Sequence, residues 1–270
     1  MSEVFQHSDS SILHIPKWKN YDSRLEVGFT TREGGVSKAP FATFNHGLHV
    51  SDRYEDVITN RKRLAEKLGI LLDHWISGEQ VHQTDVREVY EQDKGKGSRS
   101  TKHALSGVDG MITNKAGLLC TAFFADCVPL YFFDPETNYV GIAHAGWKGT
   151  VNRMAEQMIK KLQSVGSKPK NILVVIGPCI SQKHYEVDEK VIQHIPMDVR
   201  NKVSIEKGNN RYLLDLKELN KHILLQCGVL RNNIDITNYC TYQHEQLFFS
   251  HRRDQGQTGR MLGYVGFRNE

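Results

Sequence analysis

The chain predicts a mixed α/β fold, and three observations carry that expectation. Roughly nine segments rich in β-branched and aromatic side chains are interspersed with about four longer stretches of helical periodicity. Their alternation is too irregular for a doubly wound parallel sheet. A length of 270 residues with 39% hydrophobic side chains, undivided by any long Pro/Gly/Ser linker, suits one domain over residues 1–270.

Taken in order, Leu25 to Thr30 reads as a strand, and Thr31-Arg32-Glu33-Gly34-Gly35 as the turn after it. Residues 42–48 then run into a helix capped at Ser51 or Asp52, Asp52 having Glu55 three residues on. Its inward positions are Tyr54, Val57, Ile58, Leu64, Ala65 and Leu68, with Gly69 as the stop. Arg61 falls on that apolar face, where a guanidinium needs an anionic partner, a wet cavity or a route to the edge. Gln92 to Ser106 is charged and loop-like, an excursion within the domain.

Val128 to Asp134 and Tyr139 to Ala143 read as two strands joined by turn formers at 134–138. That hairpin pairs positions whose numbers sum to roughly 271 or 272, which makes Cys127 and His144 neighbours at its open end. Pro129 perturbs the ladder, and a slip of one residue reverses every side chain. A Gly-flanked turn, Ala145 to Thr150, leads into a helix with Val151, Met154, Ala155, Met158, Ile159 and Leu162 inward. Its first amides, with Lys148 and the Thr150 hydroxyl, would form an anion site beside His144, unless they are a plain cap. Ile172 to Ile176 is a buried strand, Glu186 to Ile195 and Asp215 to Cys227 are helices, and Ile234 to Tyr239 and Met261 to Phe267 are closing strands. Between the last two, residues 249–260 hold three arginines and a histidine. They form either a solvated face or the lining of a phosphate or nucleoside pocket.

Bulk properties narrow the function. A net charge of +4 is dispersed along the chain, which argues against nucleic acid and suits a small anionic substrate. The longest apolar region, Leu118 to Phe133, is broken by Asp126 and Pro129 and is too short for a membrane span. The first residues, MSEVFQHSDSS, lack the regions of a signal peptide, and five scattered cysteines suit a reducing compartment, so a cytoplasmic location is expected.

Three short segments carry the chemistry. QVHQ at 80–83, ADCVP at 125–129 and HAGWKGT at 144–150 supply His82, Cys127 and His144. Two imidazoles and a thiolate fit zinc with a fourth position left for water or substrate. Each residue also has a plain structural use, the cysteine as core and a histidine as a satisfied polar group, and local spacing does not place His82. The same set describes the ligands of a blue-copper centre, although none of the 13 histidines lies two positions from another, as the His-x-His pairs of multicopper oxidases do. A cysteine hydrolase, with Cys127 as nucleophile and His144 as base, is the other rival.

Together TREGGVS, FNHGLHVSD, NRKRL, QVHQ, GVDGMIT, ADCVPLYFFD, IAHAGWKGT, IGPCISQKHYEV, FSHRRD and TGRMLGYVGF resemble the YlmD/YfiH-type purine nucleoside phosphorylases, also described as laccase-domain or polyphenol oxidoreductase proteins. The likeness runs from about Arg24 to Phe267, and the chain closely resembles the bacterial YlmD members. It implies a single domain of layered β-sheets flanked by helices, with zinc held by His82, Cys127 and His144. It also implies phosphorolysis of adenosine, inosine, guanosine and methylthioadenosine, and hydrolytic deamination of adenosine. In that setting Arg61, Lys148, Arg252, Arg253 and Arg260 are candidates for holding phosphate, Arg61 first among them. Asn45 is a candidate for the nucleoside, and Glu79 or Asp126 for moving a proton. Two departures stand out: His251 where many relatives have tyrosine, and Lys148 where arginine is common. A lysine cannot make the planar two-point contact of a guanidinium.

Overall fold

The computed structural model describes residues 3–269. Met1, Ser2 and Glu270, which the expected domain of residues 1–270 includes, lie outside the described residues. Two six-stranded sheets and one three-stranded sheet organise the chain. The first runs Gln6–His7, Ile12–His14, Leu25–Thr30, Met261–Phe267, Leu119–Phe124 and Trp75–Ser77 in spatial order. The second runs Ile234–Ile236, Leu173–Ile176, Val128–Asp134, Tyr139–Ala145, Gly110–Thr113 and Val86–Glu88. No described helix is long and apolar enough to cross a membrane.

The layers follow from which faces are greasy. Val27, Phe29, Phe124 and Val265 of the first sheet meet Tyr131, Phe133, Val140 and Ile142 of the second in one core. On the far side of the second sheet, Val128, Leu130, Phe132 and Ala143 pack on Met154, Met158, Leu219 and Ile223 of the helices Met154–Ser164 and Leu216–Gln226. The helix Tyr54–Leu68 closes the other side, its Leu64, Ala65 and Leu68 lying with Leu119, Phe123 and Leu262. A strand covered on both faces has no polar side to show, which is why Val128 to Phe133 reads as one apolar run.

Several expected elements differ in the structure. The hairpin pairs Asp134 with Tyr139 and Pro129 with His144, so partners sum to 273 and not to 271 or 272. The cause is Asp134, which belongs to the strand and leaves four loop residues. Its carboxylate caps them by accepting from the Glu136 N–H at 3.0 Å and the Thr137 hydroxyl at 2.9 Å. The helix after residues 42–48 has Arg53 as its N-cap in place of Ser51 or Asp52. Asp52 binds the Asn45 side chain at 2.9 Å instead of capping. The helix expected from Val151 is two helices, Trp147–Val151 and Met154–Ser164, broken where Arg153 takes φ +65°. Residues 186–195 begin as the strand Glu186–Asp188 because Arg211–Leu214 pairs with it, and only Glu189–Ile192 is helical. The expected strand from Ile234 stops at Ile236.

Candidate metal centre and cleft

Strand geometry brings two of the three chemical residues together. Cys127 immediately precedes Val128–Asp134, and His144 lies in Tyr139–Ala145 opposite Pro129, so the thiol and the imidazole sit two positions apart in register at the same sheet end. His82 arrives on the loop after Trp75–Ser77, with Gln80 at φ +55° and His82 itself at φ +61°. The ligand atoms of His82, Cys127 and His144 all lie within 4.8 Å of one another. Gly146 makes room for them, since a Cβ there would stand 3.0 Å from Cys127 Sγ and 3.1 Å from His82 Cδ2.

The organising residue is Asp109, which the sequence reading passed over although it lies in the GVDGMIT segment. Its Oδ1 meets His144 Nδ1 at 2.9 Å and accepts the His82 N–H at 3.2 Å. Its Oδ2 accepts the N–H groups of Val81 at 3.0 Å and Gln83 at 2.9 Å. One carboxylate therefore folds the 81–83 loop and turns the far nitrogen of His144 toward the thiol, the arrangement that orients metal-ligating histidines. Gln80 adds a second pin, donating to the Phe123 carbonyl at 2.9 Å and accepting the Phe123 N–H at 2.8 Å.

Charge follows this geometry. Burial alone would raise the Cys127 thiol, but the His144 charge and hydrogen bonds from His144 and His82 bring it down to about 6. Burial would lower His144; the thiolate and Asp109 outweigh that and raise it to about 9. Burial would likewise raise Asp109, and its bonds to His144 and to the loop N–H groups hold it below the ordinary carboxylate value. A thiolate with two imidazoles facing open space is a donor set ready for a metal ion.

A cleft of about 650 Å³ opens over the cluster. Lys148, Arg252 and Arg260 line it with Glu79, Asp126, His251 and Tyr185. The Arg260 guanidinium is acidified by burial yet lies near the negative Cys127 and Asp126. Its Nη1 is spent on the carbonyls of Thr258 and Gly259 at 2.8 and 3.0 Å.

The remaining sequence candidates lie elsewhere. Arg61 is 1% exposed and is not among the cleft-lining residues. Its Nε and Nη2 donate to the His46 carbonyl at 3.0 and 2.6 Å, and its Nη1 to Gly97 and Ser98 carbonyls at 2.8 and 2.7 Å. Its hydrogen-bond partners among the described residues are backbone carbonyls, and its guanidinium lies 4.7 Å from the Phe123 ring centre. Burial lowers it to about 9, which leaves it charged at neutral pH. Asn45 is buried, and its Oδ1 accepts the N–H groups of Gly47 at 3.0 Å and Arg260 at 2.8 Å. Arg253 binds Asp254 and the carbonyls of Thr241, Tyr242 and Phe248. All three build the wall behind the cleft. The Thr150 hydroxyl is also engaged, accepting from Asn220 at 3.0 Å.

Residues 26–268 match the family described as multi-copper polyphenol oxidoreductase laccase. The chain is 40% identical over 271 residues to the purine nucleoside phosphorylase YlmD of Bacillus subtilis (strain 168), covering 98% of this chain and 97% of that protein. It is 44% identical over 248 residues to the purine nucleoside phosphorylase YlmD of Geobacillus stearothermophilus, 90% of each. The crystal structure of Bacillus licheniformis YfiH superposes with a TM-score of 0.94 at 39% identity, over 98% of this chain and 99% of that one. For the crystal structure of Geobacillus stearothermophilus YlmD the TM-score is 0.93 at 41% identity, over 99% and 100%.

Proposed function

Because the chain belongs to the YlmD/YfiH family, we propose that it is a zinc-dependent purine nucleoside phosphorylase. It converts adenosine, inosine, guanosine or methylthioadenosine, with phosphate, to the free base and the sugar 1-phosphate, and also deaminates adenosine by hydrolysis. One observation carries the reading: three cationic side chains, Lys148, Arg252 and Arg260, share a cleft with His82, Cys127 and His144. Two imidazoles and a thiolate, with one side open to the cleft, suit zinc.

In phosphorolysis a phosphate oxygen bonds to C1′ of the sugar while the C1′–N9 bond breaks and its electrons go to the purine. The reaction therefore needs an anion held against the sugar. Arg252 and Arg260 keep N–H groups without a hydrogen-bond partner among the described residues, and Lys148 adds a point charge. When bound, zinc supplies Lewis acidity toward the substrate. Asp109 keeps His144 turned toward the cleft, and Gly146 leaves the space in front of the ligands free. For deamination, Glu79 is the carboxylate placed to move protons. Its Oε2 accepts from Ser106 and Gly107 at 3.1 and 3.0 Å, and Oε1 has no partner among the described residues.

A second reading has its own observation, the Cys127–His144–Asp109 series, which is also the order of nucleophile, base and orienting acid in a cysteine hydrolase. Copper is the other metal that this donor set accepts. The described residues offer a single three-ligand group, which suits one metal ion rather than a multicopper cluster.

The test is incubation of metal-loaded protein with adenosine and inosine, with and without phosphate, followed by chromatographic separation of adenine, inosine and hypoxanthine. Phosphate-dependent release of base is expected, with chelator-sensitive formation of inosine from adenosine. Turnover that survives chelation while a covalent adduct builds up on Cys127 would favour the hydrolase. Oxidation of phenols by a blue, copper-loaded protein would favour the oxidase.

A further inference from the structure

Asp126 stands one residue before Cys127 and lines the cleft at φ +90°, a conformation that Asp and Asn tolerate better than most residues. Its carboxylate is committed on both oxygens. Oδ1 accepts the Thr241 hydroxyl at 2.6 Å, and Oδ2 accepts the Ser250 hydroxyl at 3.0 Å and the Arg252 N–H at 2.7 Å. Its main-chain carbonyl takes the Ile180 N–H at 3.1 Å. Four donors from three segments distant in sequence thus converge on the residue next to a metal-capable thiolate.

The segment with the most consequence is the one carrying Arg252. Beyond its clamped N–H, the Arg252 side chain donates Nη1 to the Glu186 carbonyl at 2.8 Å and lies 5.1 Å from the Tyr185 ring centre. Nε and Nη2 have no partner among the described residues. The guanidinium is thus braced on one edge and open on the other, the condition for a two-point contact with a phosphate.

We propose that Asp126 is a positioning residue for phosphate: it locks the Ser250–Arg252 turn to the Cys127 strand end, and so fixes the distance between the anion and the metal ligands. This rests on the phosphorolysis reading. It assigns Asp126 a different task from a proton shuttle, since three donors already occupy a carboxylate with about four lone-pair sites. Asparagine preserves the clamp, because its oxygen takes the Ser250 and Arg252 donors while its NH₂ donates to the Thr241 hydroxyl, which accepts equally well. Alanine removes it.

The experiment compares full-length, zinc-loaded wild type, Asp126→Asn and Asp126→Ala in phosphate-dependent cleavage of inosine, with metal content measured for each. For Asp126→Ala the KM for phosphate rises about ten- to a hundredfold, while the KM for inosine and the zinc content hold. Asp126→Asn stays within about threefold of wild type in kcat and both KM values. An Asp126→Asn protein that binds both substrates normally but loses kcat as badly as Asp126→Ala identifies a proton shuttle and overturns the proposal. So does an Asp126→Ala protein with an unchanged phosphate KM. If Asp126→Ala does not fold, the Thr241→Val/Ser250→Ala pair removes two of the three donors and must raise the phosphate KM in the same selective way. A wild type that cleaves inosine without needing phosphate overturns the phosphorolysis reading itself and this inference with it.

Discussion

Replacing Arg61 by methionine separates a wall residue from an anion-binding one. The guanidinium makes four hydrogen bonds of 2.6–3.0 Å to three carbonyls, two of them in the 92–106 excursion. Methionine fills the volume against Phe123 but strands those three acceptors, each costing about 1–3 kcal/mol when buried and unmet. Relief from burying a charge offsets part of this, and a net loss of about 3 kcal/mol is expected. In a chain of this size that is a Tm drop of about 6–12 °C. Thermal and urea unfolding measure the loss, and initial rates against phosphate concentration measure the anion site. The expected outcome is a less stable protein whose phosphate KM stays within about twofold of wild type. Unchanged stability with a tenfold weaker phosphate KM would put Arg61 in the anion site and contradict the contacts described above.

Asp109→Ala removes the acceptor from His144 and from three loop N–H groups, so zinc affinity in a chelator competition falls about 10- to 100-fold; an unchanged affinity would deny Asp109 its orienting role. Cys127→Ala is expected to lose bound metal and turnover together, as is wild type after chelation, and readdition of zinc restores only the latter. His46 is fully buried with both ring nitrogens unpartnered, and burial beside Arg61 holds its pKa well below 6.5. The unfolded chain therefore binds a proton that the native state refuses. The His46 contribution to stability is full above about pH 6.5 and falls by about 1.4 kcal/mol per unit below it, until the depressed native pKa is reached. His46→Phe should flatten that slope in urea titrations at pH 7 and 5.5, and an equal slope in both proteins would exclude His46 as its source.

The parts legible in the chain were those written in residue type and local order. Two histidines and a cysteine are a metal-capable donor set by residue type, although spacing does not bring His82 to the other two, and the turn formers after Phe133 announce a hairpin. Even there the register escaped by one or two residues. Asp134 reads both as the strand's last residue and as a turn former, and its pairing with Tyr139, with the carboxylate capping the turn, is what sets the register. Arg61 was visible as an oddity on an apolar face, yet its partners are carbonyls 15, 36 and 37 residues away, and a carbonyl leaves no mark in a sequence. Asp109 was missed for the same reason, since its importance lies in N–H groups 26–28 residues distant and a histidine 35 residues on.

The metal-capable residue types and the broad α/β class were thus legible in the sequence, because chemistry and β-propensity belong to single side chains and short windows. Which arginines face the cleft was decided by tertiary structure alone. Arg252, Arg253 and Arg260 share one loop and one charge. Arg253 is nevertheless consumed by carbonyls and Asp254, whereas Arg252 and Arg260 keep side-chain N–H groups without a hydrogen-bond partner among the described residues, and only the packing of distant backbone oxygens makes that distinction.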